Sequence, residues 1–205
     1  MRLGLLGGTF DPIHYGHLLL AETCRESARL DRIWFLPAAQ SPHKRHRSPT
    51  EPRHRLEMLE LAISGNPAFE VCQWELERGG VSYTVETLTH LSQELPDAEL
   101  FFLMGADSLR DFPAWRNPAK ICQLATPLVV ARPDTPAPDL SGLATWLSAE
   151  ARDRITDLVV KMPMIQLSSS DIRQRCADGQ SIRYRTPRAV EAYIDSHRLY
   201  RATSE

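Results

Sequence analysis

Apolar residues along this chain fall into short continuous runs separated by stretches of helical spacing. That is the pattern of strands buried on both faces alternating with amphipathic helices. The first run, Leu3-Gly4-Leu5-Leu6, leads into a glycine turn at Gly7-Gly8. Residues 16–30 then read as a helix, with Leu20, Cys24 and Ala28 at every fourth position and Glu22, Arg25 and Glu26 between them. Ile33-Trp34-Phe35-Leu36 is a second buried strand, stopped by Pro37. A polar, strongly basic loop over residues 42–49 precedes a helix with Leu56, Leu59 and Ile63 on one face, for which Thr50 is the expected N-cap.

The alternation continues. Residues 69–76 read as a third strand, and Val85, Leu88, Leu91 and Leu95 mark a helix that stops at Pro96. Leu100-Phe101-Phe102-Leu103-Met104 is the most apolar strand, and Leu128-Val129-Val130-Ala131 is another, closed by Arg132-Pro133. Residues 118–124 and 140–154 have helical character, and the last strand falls within 158–160 or 162–167. From Ser169 the chain is helical again, and a final helix takes Pro187 as its first residue. The expected fold is α/β: a Rossmann-like, doubly wound, mostly parallel sheet over residues 1–167. A small C-terminal helical subdomain, residues 168–205, packs on it. Ligands in such folds sit beyond the carboxyl ends of the strands. The Gly7-Gly8 turn, Gly105-Ala106-Asp107, Arg132 and Ser168 all lie at such ends.

Composition narrows the partners. The 205 residues suffice for one domain with a full core, and 42% hydrophobic with 24% charged is ordinary for a globular protein. A net charge of −2 provides no global attraction to nucleic acid or anionic lipid, so anion binding must be local. No signal-peptide pattern and no membrane-length apolar run is present. The four cysteines, Cys24, Cys72, Cys122 and Cys176, have no C-x-x-C spacing and read as free thiols of a cytoplasmic protein, monomeric or homodimeric.

The stretch Gly7-Gly8-Thr9-Phe10-Asp11-Pro12-Ile13-His14-Tyr15-Gly16-His17 joins the first strand to the first helix. Glycines let the backbone close on a ligand, and a helix start presents unpaired N–H groups to an anion. It is neither a dinucleotide fingerprint nor a P-loop. Its phosphate-facing side chains are expected to be Thr9, His14 and His17.

This stretch resembles the signature of the H-x-G-H nucleotidyltransferases, and more narrowly that of the bacterial nicotinate mononucleotide adenylyltransferases. Ser41-Pro42-His43-Lys44 resembles the family's P-P-H-[RK], departing at Ser41. Arg55 on its helix, Ser82-Tyr83-Thr84, Gly105-Ala106-Asp107-Ser108 and Phe112-Pro113-Ala114-Trp115 also match. Ser168-Ser169-Ser170-Asp171-Ile172-Arg173 resembles I-S-[SA]-T-x-I-R, with serine for threonine at Ser170. The likeness runs in order over almost the whole chain and is weakest over residues 134–161.

The resemblance implies AMP transfer from ATP to nicotinate mononucleotide, with pyrophosphate released. The nucleophile is a substrate phosphate that is already largely ionised, so positioning and charge neutralisation matter more than a general base. Thr9, His14, His17 and Arg173 are the implied catalytic set. ATP is expected at Gly7, Gly8, Phe10, Gly16, Gly105, Asp107, Arg132, Ser168, Ser169, Ser170 and Ile172 as well as that set. The acceptor is expected at Asp11, Lys44, Ser82, Tyr83, Thr84 and Trp115. Asp107 contacts either a nucleotide ribose or the metal's water shell. Mg²⁺ is expected to arrive with ATP, held by phosphate oxygens and water and not by a dedicated protein site. Alternative readings are a nicotinamide mononucleotide or pantetheine phosphate acceptor, or a nucleotide-binding regulator without turnover.

Overall fold

The computed structural model describes residues 1–42, 49–131, 139–143, 145–163 and 165–201. Six strands form one sheet: β1 (Arg2–Gly8), β2 (Arg32–Pro37), β3 (Phe69–Val71), β4 (Glu99–Gly105), β5 (Thr126–Ala131) and β6 (Val160–Lys161). Their order is β3-β2-β1-β4-β5-β6, and every strand pair is parallel. This is a Rossmann-like, doubly wound sheet. The direction of winding reverses between β1 and β4, which opens a crevice beyond their carboxyl ends.

The continuous apolar runs are explained by burial on both faces. Along β4, Leu100, Phe102 and Met104 join one buried cluster, while Phe101 and Leu103 join the other. One face is covered by α1 (Tyr15–Ser27), α2 (Pro52–Ile63), α8 (Ser169–Ala177) and α9 (Arg188–Ser196), through residues such as Cys24, Met58, Ile172 and Ile194. The opposite face is covered by α4 (Thr84–Glu94), α6 (Pro118–Leu124) and α7 (Ala149–Asp157), through Leu88, Ile121 and Ile155. Two short helices, α3 (Trp74–Arg78) and α5 (Ala106–Asp111), complete the fold. Among the described residues no helix is long and apolar enough to cross a membrane.

Four local expectations need correction. The third strand ends at Val71, not Leu76: β3 is an edge strand with a single neighbour, and Trp74-Glu75-Leu76-Glu77-Arg78 follows its own helical preference. The last strand is only Val160–Lys161. The N-cap of α2 is Glu51, because the helix begins at Pro52, which places Thr50 one residue ahead of the cap. Pro187 is the N-cap of α9 and not its first residue, since its ψ of 146° is extended.

Candidate active site

Beyond β1 the chain makes a turn that four side chains from three remote segments hold in place. Arg55 of α2 donates to the Thr9 carbonyl at 2.9 Å, and Arg173 of α8 donates to the Asp11 carbonyl at 2.6 Å. The Ser169 hydroxyl donates to the Pro12 carbonyl and the Thr186 hydroxyl to that of Ile13, each at 2.8 Å. Such anchoring is needed because Phe10 sits in the left-handed region, φ 48°, which is unfavourable for a residue with a Cβ. The Phe10 ring stacks edge-on against Phe35 and His17. A side chain at position 8 would meet that ring at 2.9 Å, so glycine is required there.

His14 is the N-cap of α1 and His17 its third residue; their rings stack with centroids 3.7 Å apart. The His17 Nδ1 accepts the His14 backbone N–H at 3.3 Å, which leaves the neutral ring's proton on Nε2. Gly16 is fixed by the same packing, as a Cβ there would lie 3.0 Å from the His14 ring. His14 is 6% exposed, and desolvation by burial pushes its imidazole down to about 4, opposed in part by a backbone hydrogen bond. It is neutral near pH 7.

A stability consequence follows from the sign of that shift. Between pH 6.5 and 4 the unfolded chain holds the His14 proton and the folded one does not, so acidification favours unfolding. The loss should approach about 3 kcal/mol near pH 4. His14→Asn, which keeps a favourable N-cap, should flatten this limb. Urea unfolding of both proteins between pH 4 and 7 checks it; parallel stability curves would remove His14 as the cause.

Two cavities meet at Gly8, Thr9 and Ser41. The smaller, about 190 Å³, brings together Thr9, Phe10, Asp11, His17, Ser169 and Arg173. The larger, about 660 Å³, is walled by Gly7, Gly8, Ser82, Tyr83, Thr84 and Trp115. Trp115 is held edge-on by Phe102 and tilted against Phe112. Ser82 is buried, and its hydroxyl accepts the Ala39 N–H at 3.0 Å, tying the start of α4 to the end of β2. The Arg116 guanidinium lies 4.5 Å above the Tyr83 ring and pairs with Glu86, which also pairs with Arg78.

Other expected residues stand differently. Gly105 and Asp107 line neither cavity; Asp107 is exposed and paired with Arg110 at 2.6 Å. The Ser168 hydroxyl caps α8 by accepting the Asp171 N–H at 3.1 Å, and Ser170 is exposed. The Ile172 side chain is fully buried in the core, which leaves only its backbone for a ligand. Asp11 reaches the smaller cavity, but its carboxylate accepts the Tyr200 hydroxyl at 2.7 Å and the Thr50 N–H. Lys44 and Arg132 lie outside the described residues.

Sequence reading passed over three polar residues of the larger cavity, Glu75, Thr87 and Arg116. Glu75, 6% exposed, accepts the Thr87 hydroxyl at 2.6 Å. Reading residues 69–76 as a strand concealed that pairing between neighbouring helices. Arg116 follows Trp115 directly, and its adjacency was the available signal. Among the described residues, no three His, Cys, Asp or Glu side chains gather to hold a metal ion.

A model of the cytidylyltransferase-like family matches residues 5–175. A protein of Thermomicrobium roseum, named probable nicotinate-nucleotide adenylyltransferase, is 50% identical over 200 residues, covering 98% of this chain and 92% of its own. This chain belongs to the nicotinate-nucleotide adenylyltransferase family. A relative of the same name from Rhodopirellula baltica is 42% identical, over 97% of this chain and 93% of its own. The family fold extends to distant structures. The Plasmodium falciparum nicotinic acid mononucleotide adenylyltransferase complexed with NaAD superposes with a TM-score of 0.71 at 18% identity, covering 97% of both chains. The adenylyltransferase membership implied by the Gly7–His17 and Ser168–Arg173 motifs is borne out.

Proposed function

We propose that this chain transfers AMP from ATP to nicotinate mononucleotide by direct in-line attack, releasing pyrophosphate and forming nicotinate adenine dinucleotide. The observation that carries the reading is the meeting of the two cavities at the Gly8–Thr9 turn. One is lined by His17, Ser169 and Arg173, which suits a polyphosphate. The other offers an aromatic wall and the first turn of α4, which suits a pyridine nucleotide.

Within this reading, Thr9 and the turn's amides orient the attacking phosphate and the α-phosphate. His17 and Arg173 bind oxygens of the departing pyrophosphate. His14, kept neutral by burial, contributes an N–H dipole and the orientation of His17, not a positive charge. Trp115 stacks on the pyridine ring, while the backbone N–H groups at Tyr83 and Thr84 receive the nicotinate carboxylate. A Mg²⁺ ion brought in by ATP would neutralise charge on its phosphates. The donor set fits an ion held chiefly by substrate and water, since both Asp11 carboxylate oxygens are already engaged.

The test is pyrophosphate release with ATP and Mg²⁺, comparing nicotinate mononucleotide, nicotinamide mononucleotide and pantetheine phosphate as acceptors. Release with the first at the highest kcat/KM is expected. Preference for the amide would overturn the substrate assignment alone; no release with any acceptor would leave a nucleotide-binding protein without turnover.

A further inference from the structure

Arg55 is the largest fully buried side chain among the described residues, and its charge lies directly behind the wall shared by the two cavities. Its Nε donates to the Thr50 carbonyl at 2.9 Å, and its Nη1 donates to both Thr9, at 2.9 Å, and Ala38, at 2.8 Å. These acceptors belong to three separate segments: the turn after β1, the end of β2, and the approach to α2. The β1 and β2 ends are themselves joined by the Ala38 N–H, which donates to the Gly8 carbonyl at 2.9 Å. From Ala38 the chain runs on to Gln40 and Ser41 in the cavity walls. Nη2 has no hydrogen-bond partner among the described residues.

A fully buried guanidinium held by neutral carbonyls is an expensive way to join three loops, because its charge is taken out of water. Its distinct capacities are two. The planar fork sets several acceptors in a fixed relation, and the charge persists, since guanidinium stays protonated at any working pH. Both act on Thr9, whose carbonyl Arg55 holds and whose neighbour Phe10 is in a strained conformation.

We propose that Arg55 is a positioning residue for adenylyl transfer. It fixes the Thr9 turn against the end of β2, keeps the two cavities in register, and maintains positive potential behind the reacting phosphates. The proposal rests on the adenylyl-transfer reading above.

Two variants separate positioning from simple support of the fold. Arg55→Lys keeps the charge but has one nitrogen and no fork to span three carbonyls. Arg55→Met keeps the apolar stem and removes the charge. Well below each variant's unfolding midpoint, kcat of the lysine variant should fall about 10- to 100-fold, and that of the methionine variant further. KM for ATP and for the acceptor should stay within about threefold of the parent. A purely structural role would lower the midpoint and leave kcat of the folded protein unchanged. A kcat within about threefold of the parent in either folded variant, or a loss carried by KM, therefore overturns the proposal.

If neither variant folds, the unmodified protein supplies the answer. The Arg55 Nε–H resonance should shift when a non-hydrolysable ATP analogue binds; saturation that leaves it unmoved overturns the proposal. Absence of pyrophosphate release by the unmodified protein would defeat the functional reading instead, and the resonance would still decide whether Arg55 senses the nucleotide.

Discussion

Replacing His17 by alanine is expected to lower kcat about a thousandfold with the fold intact, the upper range for losing one preorganised donor at a developing anion. His17 lies in the smaller cavity with Thr9, Ser169 and Arg173, and its orientation is over-determined. The His14 N–H occupies Nδ1, the His14 ring stacks on one side, and Phe10 meets it edge-on. A donor locked this way needs no reorganisation as charge builds on the leaving pyrophosphate, and that is where its effect on rate arises. The attacking phosphate needs no base, so the loss should appear equally in kcat and kcat/KM, as for an interaction formed only in the transition state. Steady-state kinetics together with a thermal unfolding curve test this. A kcat within about tenfold of the parent would take His17 out of the catalytic set.

The sheet was legible because burial on both faces writes itself as uninterrupted apolar runs, and β1, β2, β4 and β5 appear where those runs stand. The short edge strands β3 and β6 were misjudged because one neighbour and two or three residues leave little periodicity to read. Local motifs named much of the two cavities: Thr9, His17, Ser169 and Arg173 gather in one, and Tyr83, Thr84 and Trp115 in the other. Hidden from sequence were relations made only by folding. Nothing in Glu75 or Thr87 alone announces their hydrogen bond across two helices. By contrast, the serine run that opens α8 was legible both as a cap and as a phosphate site, and Ser168 does cap the helix by accepting the Asp171 N–H. Asp11 shows the limit most clearly. In the motif it reads as an acceptor contact, whereas the fold gives its carboxylate to Tyr200 and Thr50.

Asp11→Asn is accordingly expected to act first on stability, by about 3 kcal/mol. For a chain of this size that corresponds to a fall of roughly 6–12 °C in Tm. Asp11 is 5% exposed, and its negative charge offsets part of the desolvation that lowers the Arg55 pKa, and so part of the cost of burying that cation. Asparagine preserves the shape but cancels the charge, leaving a cation in the interior with only neutral acceptors. Its amide also cannot present two acceptor oxygens to the Tyr200 hydroxyl and the Thr50 N–H together. Tyr200→Phe removes just one of these hydrogen bonds and should cost about 1 kcal/mol, which calibrates the difference. In a double-mutant cycle, Asp11→Asn should cost much less on an Arg55→Met background, because the cation it answers is gone. A loss below about 1 kcal/mol with a raised acceptor KM would reverse this assignment and return Asp11 to the substrate. A large loss with unchanged KM would tie Asp11 to Arg55, making the acid of the turn a counter-charge within the wall that both substrates share.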